Sequence, residues 1–210
     1  WRNEAAAKGQ LSYAARRVGE VTNDDRAEWM EVFRRWPCSV LYSWSPGGDH
    51  IILTGSSILA AGFEIRNQII WSKPHFPLSR GHYTYRHEPC WYAVRKGETA
   101  GWIGPPNADT VWSISLDKNV AGGHSTQKPV ECMARPIRHH EGDVADPFLG
   151  SGTTVVAAEQ EGRICYGMEL EPKYVAVTLE RLAAVGLTPK RVTTKRKPRS
   201  RPHSPDGGES

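Results

Sequence analysis

Apolar positions along this chain follow two periods, and the changes of period mark its elements. Trp29, Met30, Phe33 and Trp36 recur at helical spacing between the acidic stretch Asn23-Asp24-Asp25 and Pro37, which predicts a capped amphipathic helix over residues 26–36. Residues 38–44 are apolar and β-prone, and Ser45-Pro46-Gly47-Gly48 closes them as a strand. Residues 49–61 read as a second helix with Gly62 as its stop, and residues 64–71 as a second strand. Helix, strand, helix, strand is the order of a parallel sheet with crossover helices.

The pattern then changes. Residues 71–112 are rich in aromatic, histidine and arginine side chains and hold one convincing strand, 89–94, while 101–123 read as loop. Helical and parallel signals resume at Pro129, which suits the first turn of a helix that Thr126 can cap. A strand at Val144-Ala145, a helix over 153–161, a strand over 163–170 and a helix over 172–182 follow. The polar, small-residue segment 1–22 is expected to be mobile. The proline-containing segment 187–210 is expected to be a disordered tail, leaving 23–186 as the folded domain.

Charge sharpens that division. Residues 190–210 carry seven basic side chains against two acidic ones, more than the whole chain's net charge of +4, so the domain itself is nearly neutral. A basic tail fits a polyanionic partner, and equally a solvated run that touches nothing. Cys38, Cys90, Cys132 and Cys165 are far apart and form no C-x-x-C pair, which reads as buried thiols in a reducing, cytoplasmic setting. No apolar run reaches membrane-spanning length, so no membrane partner is expected. His87-Glu88 lacks a second ligand pair at usable spacing, and no metal is expected. His139 and His140 would end the helix that begins near Pro129 and favour its negative end.

The strongest chemical signal is Asp146-Pro147-Phe148-Leu149-Gly150-Ser151-Gly152-Thr153-Thr154, set between a short apolar strand and an Ala/Val-rich helix. Two glycines two apart allow a tight turn close to a ligand, and the helix that follows offers free N–H groups. Nineteen residues after Gly150 comes Glu169, placed to accept hydrogen bonds from both hydroxyls of a ribose. Strand, glycine turn, helix, strand and carboxylate is the order that a nucleoside-containing cofactor requires. An ordinary strand-to-helix turn shares the bare spacing.

These residues, with Gly162-Arg163 and Gly167-Met168-Glu169-Leu170-Glu171-Pro172-Lys173-Tyr174, resemble the cofactor motif of the amino-group DNA methyltransferases, which make N6-methyladenine or N4-methylcytosine. Ahead of them, His124-Ser125-Thr126-Gln127-Lys128-Pro129 is similar to the Thr-Gln-Lys-Pro motif of the β-ordered members, which lies against the methionine half of the cofactor. Phe63-Glu64-Ile65-Arg66-Asn67-Gln68-Ile69-Ile70-Trp71-Ser72-Lys73 and Tyr85-Arg86-His87-Glu88-Pro89-Cys90-Trp91-Tyr92 are similar to phage and prophage members. The likeness runs over residues 23–182.

The resemblance implies an α/β, doubly wound, mostly parallel Rossmann-like sheet with one antiparallel strand. It divides the domain into a substrate-side half, 23–123, and a cofactor-side half, 124–186. The implied cofactor is S-adenosylmethionine, held by Asp146, Phe148, Gly150, Ser151, Gly152, Thr153 and Glu169 together with Thr126, Gln127, Lys128 and Pro129. The implied partner is double-stranded DNA, with adenine N6 favoured over cytosine N4 as target. A homodimer, a non-catalytic binding remnant and an RNA substrate stay open. Arg80, His82, Tyr83, Tyr85 and Arg86, in a polar loop, are expected to contact DNA, with Lys73 a substrate-side candidate. Trp71, Trp91 and Tyr92 read as core. The family's catalytic Asp/Asn/Ser-Pro-Pro-Tyr tetrapeptide does not occur here, and Gly104-Pro105-Pro106-Asn107 reads as a loop. No catalytic residue is therefore assigned in the chain. By the family's motif order the tetrapeptide would precede Trp1.

Overall fold

A computed structural model describes residues 29–75, 82–117 and 127–192. Its elements run α1 (Met30–Arg35), β1 (Val40–Trp44), α2 (Asp49–Ala60), β2 (Phe63–Ser72), β3 (His87–Arg95), β4 (Val111–Ser113), α3 (Val130–His139), β5 (Val144–Asp146), α4 (Thr153–Gln160), β6 (Cys165–Gly167) and α5 (Pro172–Ala184). They form a four-stranded sheet in the order β1-β3-β2-β4 and a parallel pair, β5-β6. Within the larger sheet β1, β2 and β4 share one direction and β3 alone runs against them. The fold is α/β with one antiparallel strand, as the sequence implied.

Alternation decides which side each strand residue serves. On β3, Cys90 and Tyr92 face one core while Trp91 and Ala93 face the other. On β2, Phe63 and Ile65 face the α1–α2 side, whereas Ile69 and Trp71 face α3, although all four positions are odd. The register shift between Ile65 and Asn67 accounts for this. Arg66 is an extra residue, and one extra residue turns every later side chain to the opposite face. Pro89, without an N–H, is tolerated in this central strand because β1 has ended opposite it. The last bond there runs from the Ser45 amide to the Pro89 carbonyl.

The first core packs Phe33, Ile58, Ala61, Phe63 and Ala93 between the sheet and helices α1 and α2. Gly55 lets α2 lie against the Trp91 indole, whose N–H donates to the Ile51 carbonyl at 3.1 Å. The second core joins Ile69, Trp71, Cys90, Trp112 and Ile114 to Cys132 of α3. The buried Trp71 N–H donates to the Ile114 carbonyl at 2.9 Å. The third core holds Ala134 and Ile137 of α3 against Ala157 and Ala158 of α4. Arg95 closes the end of α1, donating to the carbonyls of Trp36 at 2.6 Å and Cys38 at 2.9 Å.

Several boundaries depart from the sequence reading. Helix α1 is shorter than residues 26–36, and Asn23, Asp24 and Asp25 lie outside the described residues, as do 1–22 and 193–210. Strand β4 stands where a loop was expected, because Val111 and Trp112 pair with Ile70 and Trp71 at the sheet edge. Strand β6 is only Cys165–Gly167, so Glu169 lies two residues past it. Pro129 is the residue before α3, not inside its first turn. The Val130 amide donates to the Asp117 carboxylate at 3.0 Å, and Thr126 is outside the described residues. Residues 104–107 form a loop, as expected. The four thiols are free, and burial pushes Cys132 up to about 12 and Cys165 up to about 11, so both stay protonated.

His139 and His140 correct a further expectation. Both end the helix as expected, but burial lowers the pKa of each, which disfavours the cationic form there. His140 follows α3, buried, with its Nδ1 2.7 Å from the Ala100 carbonyl and its Nε2 2.8 Å from the Tyr42 hydroxyl. The carbonyl can only accept, so Nδ1 carries the proton and Nε2 accepts from Tyr42. In the unfolded chain the imidazole takes a proton near 6.5, and in the folded chain at lower pH. The unfolded state thus binds more protons between those values, and stability is full above about pH 6.5 and lost as pH falls below it. We expect thermal melting temperature to decline from about pH 7.5 to 5.5, one site contributing at most about 1.4 kcal/mol per pH unit. His140→Gln, which keeps a donor and an acceptor, should flatten that decline, and an unchanged profile would remove His140 as its source.

Candidate functional site

The C-terminal ends of β1 and β2 and the N-terminal end of β3 lie together, since Trp44 pairs with Cys90 and Ser72 with His87. Lys128, just before α3, reaches Glu88 at the same end, and the neighbouring Gln127 accepts from the Ser151 hydroxyl at 3.2 Å. The turn after β5 therefore shares this end with the loops of the larger sheet. Ligands of open α/β sheets bind outside the carboxyl ends of their strands.

The turn itself is built by its own carboxylates. Asp146 accepts from the Phe148 amide at 2.9 Å and from the Thr154 hydroxyl at 2.6 Å, tying strand β5 to the first turn of α4. Glu169 accepts from the Gly150 amide at 2.7 Å through one oxygen and from the Glu171 amide at 2.7 Å through the other. A carboxylate has about four lone-pair sites, so each oxygen keeps capacity for a further donor. Gly150 and Gly152 have φ of +56° and +79°, the left-handed region that favours glycine. Phe148 is exposed, with Trp29 edge-on to its ring at 5.2 Å. Thr153 is buried at the start of α4.

Helix α5 grips this turn from behind, which the sequence reading missed. Thr178 donates to the Gly150 carbonyl at 3.3 Å, and Arg181 donates to the Ser151 carbonyl at 2.7 Å and the Thr153 hydroxyl at 3.1 Å. Burial lowers the Arg181 pKa from its ordinary value, although Asp117 opposes the shift. The i, i+3 spacing of Thr178 and Arg181 on an otherwise amphipathic helix was the available signal.

On the other side, Lys73 and Arg86 close the base of the loop between β2 and β3. The Lys73 amide donates to the Arg86 carbonyl at 2.9 Å, and Arg86 Nε returns to the Lys73 carbonyl at 3.2 Å. His82, Tyr83, Tyr85 and Arg86 are exposed, while Arg80 lies outside the described residues. Tyr85 rests on Gly47, where any Cβ would come within 2.5 Å of its ring. A shallow open groove beside it is lined by Ile70, Ser72, Arg86, His87 and Val111. Trp71 is core, and Trp91 and Tyr92 are half-buried against the two faces of the sheet.

Glu88, weighed in the sequence only as a metal ligand, instead holds two ammonium groups. Its two oxygens meet Lys73 Nζ at 2.5 Å and Lys128 Nζ at 3.2 Å. Burial pushes its carboxyl up, but the ammonium groups of Lys128 and Lys73 outweigh this and hold it below the ordinary carboxylate value. Among the described residues no group of three His, Cys, Asp or Glu side chains could hold a metal ion. No helix there is long and apolar enough to cross a membrane.

A mixed, mostly parallel sheet beside a parallel pair that ends in a glycine turn, a helix start and a carboxylate places the chain among the α/β proteins. The sequence profile N6_N4_Mtase, described as DNA methylase, matches residues 21–180, and the chain belongs to this amino-group DNA methyltransferase family. It is 35% identical over 204 residues to the type II methyltransferase M2.DpnII of Streptococcus pneumoniae, covering 79% of this chain and 75% of that one. The crystal structure of an M1.HpyAVI–SAM complex superposes with a TM-score of 0.62 at 24% identity over 72% of this chain and 80% of that one. PvuII DNA methyltransferase, cytosine-N4-specific, gives a TM-score of 0.62 at 17% identity over 82% and 77%. The last two share the fold.

The turn yields a stability prediction. A methyl at Gly152 would meet Thr178 Cγ2 and Oγ1 at 2.6 Å in addition to the cost of positive φ. Gly152→Ala should therefore destabilise by about 2–3 kcal/mol in urea titration. Thr178→Ala should recover part of that in the double variant, and strictly additive costs would show that crowding is not the cause.

Proposed function

We propose that this chain binds S-adenosylmethionine over the turn at residues 146–152 and takes part in methylating an exocyclic amine of a DNA base. The observation that carries the reading is Glu169 bound into the Gly150 amide, a carboxylate fixed beside a glycine turn with acceptor capacity left for ribose hydroxyls. Asp146, Thr178 and Arg181 hold the turn. Gln127 and Lys128 border it at the methionine side, which follows the family resemblance of the segment ending at Pro129. Residues 124–186 are assigned the cofactor and 23–123 the DNA, with Lys73, His82, Tyr83, Tyr85 and Arg86 on its exposed surface.

The reaction moves a methyl group from the sulfonium to the amine nitrogen, which loses a proton, and leaves S-adenosylhomocysteine. The amine is a weak nucleophile because its lone pair is delocalised into the ring, so its protons need hydrogen-bond acceptors. No Asp/Asn/Ser-Pro-Pro-aromatic tetrapeptide stands in these 210 residues to supply them. We expect the 210-residue chain alone to transfer no methyl to DNA above background. Tritium incorporation by it would place that chemistry on residues named here.

Adenine N6 is the proposed target, supported by the likeness of residues 85–92 to phage-type members. Cytosine N4 is the second reading, because the matching family model spans N6 and N4 methyltransferases alike. Nucleoside mass spectrometry of DNA from cells expressing the gene's whole product decides between them, and N4-methylcytosine alone would overturn the first. For the cofactor, Glu169→Ala removes charge-assisted hydrogen bonds worth about 1.5–3 kcal/mol each, so calorimetric affinity for S-adenosylhomocysteine should fall about tenfold or more. Equal affinity in variant and parent would refute the assignment.

A further inference from the structure

Beyond the turn, one carboxylate ties the two halves of the site together. Glu88, on β3, meets Lys73 from the end of β2 at 2.5 Å and Lys128 from the lead into α3 at 3.2 Å. Each ammonium also lies over its own indole, Lys73 at 5.1 Å from Trp71 and Lys128 at 5.3 Å from Trp44. The two indoles stand edge to face at 6.5 Å. The three charged side chains are between 21% and 32% exposed, so water screens them only in part.

Free lysines carry about 2 kcal/mol of rotamer entropy each, and a lysine that must find its ligand loses that on binding. Here both are ordered beforehand by a shared acceptor and an aromatic face. Lys128 is adjacent to Gln127, whose side chain accepts from Ser151 of the glycine turn, so fixing Lys128 also fixes where this segment meets the turn. Lys73 is fixed on the opposite side, at the base of the loop that holds Tyr83 and Tyr85.

We infer that Glu88 is a positioning residue, which sets Lys128 against the cofactor turn and Lys73 toward DNA through one bridging carboxylate. The assignment rests on the cofactor site proposed above. It acts without touching either ligand, and its effect on cofactor binding runs through Lys128 alone.

The test is calorimetry of S-adenosylhomocysteine binding to the 210-residue chain, with melting curves for each variant. Glu88→Gln should weaken binding about tenfold, the size of one lost charged hydrogen bond. Lys128→Met should weaken it to a similar degree, and the double variant should be no worse than the weaker single one, because both changes break the same link. Glu131→Gln, which breaks ion pairs to Arg135 and Arg138 on the same helix away from the turn, should leave affinity within twofold. If Glu88→Gln fails to fold, Lys73→Met serves. It leaves Glu88 to Lys128, so cofactor affinity should hold within twofold while the salt slope of DNA binding flattens by about 0.9. Parent-like affinity of Glu88→Gln, additive losses in the double variant, or a cofactor loss in Lys73→Met equal to that of Lys128→Met would each overturn the inference. A folded parent chain that binds no S-adenosylhomocysteine would instead overturn the cofactor site itself, and this inference with it.

Discussion

Helix α3 buries two faces at once. Cys132 and Met133 pack on the four-stranded sheet, while Met133, Ala134 and Ile137 pack on α4 and the β5–β6 pair. Its two ends are tied to the larger sheet by different chemistry, Lys128 to Glu88 at the start and His140 to Tyr42 at the finish. Shift this helix and the glycine turn moves relative to the loops after β1 and β2. The geometry between the two halves of the proposed site therefore rests on α3 being both apolar in its middle and polar at its anchors.

The same economy governs the turn at residues 146–152. Its polar backbone would be mobile if left to solvent, as loops commonly are. Asp146 and Glu169 hold it from the strand side, and Thr178 and Arg181 hold it from α5. Most of its side-chain partners are charged or hydroxyl groups that come from elements formed elsewhere in the chain. A turn made this way gains part of its support only from α5.

Much of this was legible in the sequence where a local rule acts alone. Strand β1, helix α2, the stop at Gly62 and helix α4 follow from periodicity, glycine and order of elements, while the one antiparallel strand came from the family resemblance. The glycine turn and Glu169 were visible because backbone freedom and spacing are properties of neighbouring residues. The bulge at Arg66 was not, since it shows only once pairing with β3 is known, and it explains why odd positions of β2 change sides. Strand β4 has too few residues to carry a period, and it is defined by its neighbour. Glu88, Arg181 and the neutral state of His140 were illegible for one reason. Each is decided by groups distant in sequence, Lys128 for Glu88, Ser151 for Arg181 and the burial of the imidazole for His140.

The strand order β1-β3-β2-β4 has a consequence for how the chain reaches its fold. Strand β1 is made before β2 but never touches it, because β3 lies between them. Among the described strands, β1 and β2 therefore form no pair of their own. Pairing must wait for residues 87–95, and the cheaper closure is the short loop from β2, with β1 added to the finished hairpin afterwards. Until then the apolar side chains of Leu41, Tyr42 and Trp44 have no sheet to cover them. Among the described strands, β1 thus waits for a partner made more than forty residues later, a period of exposure set by topology and by the pace of synthesis.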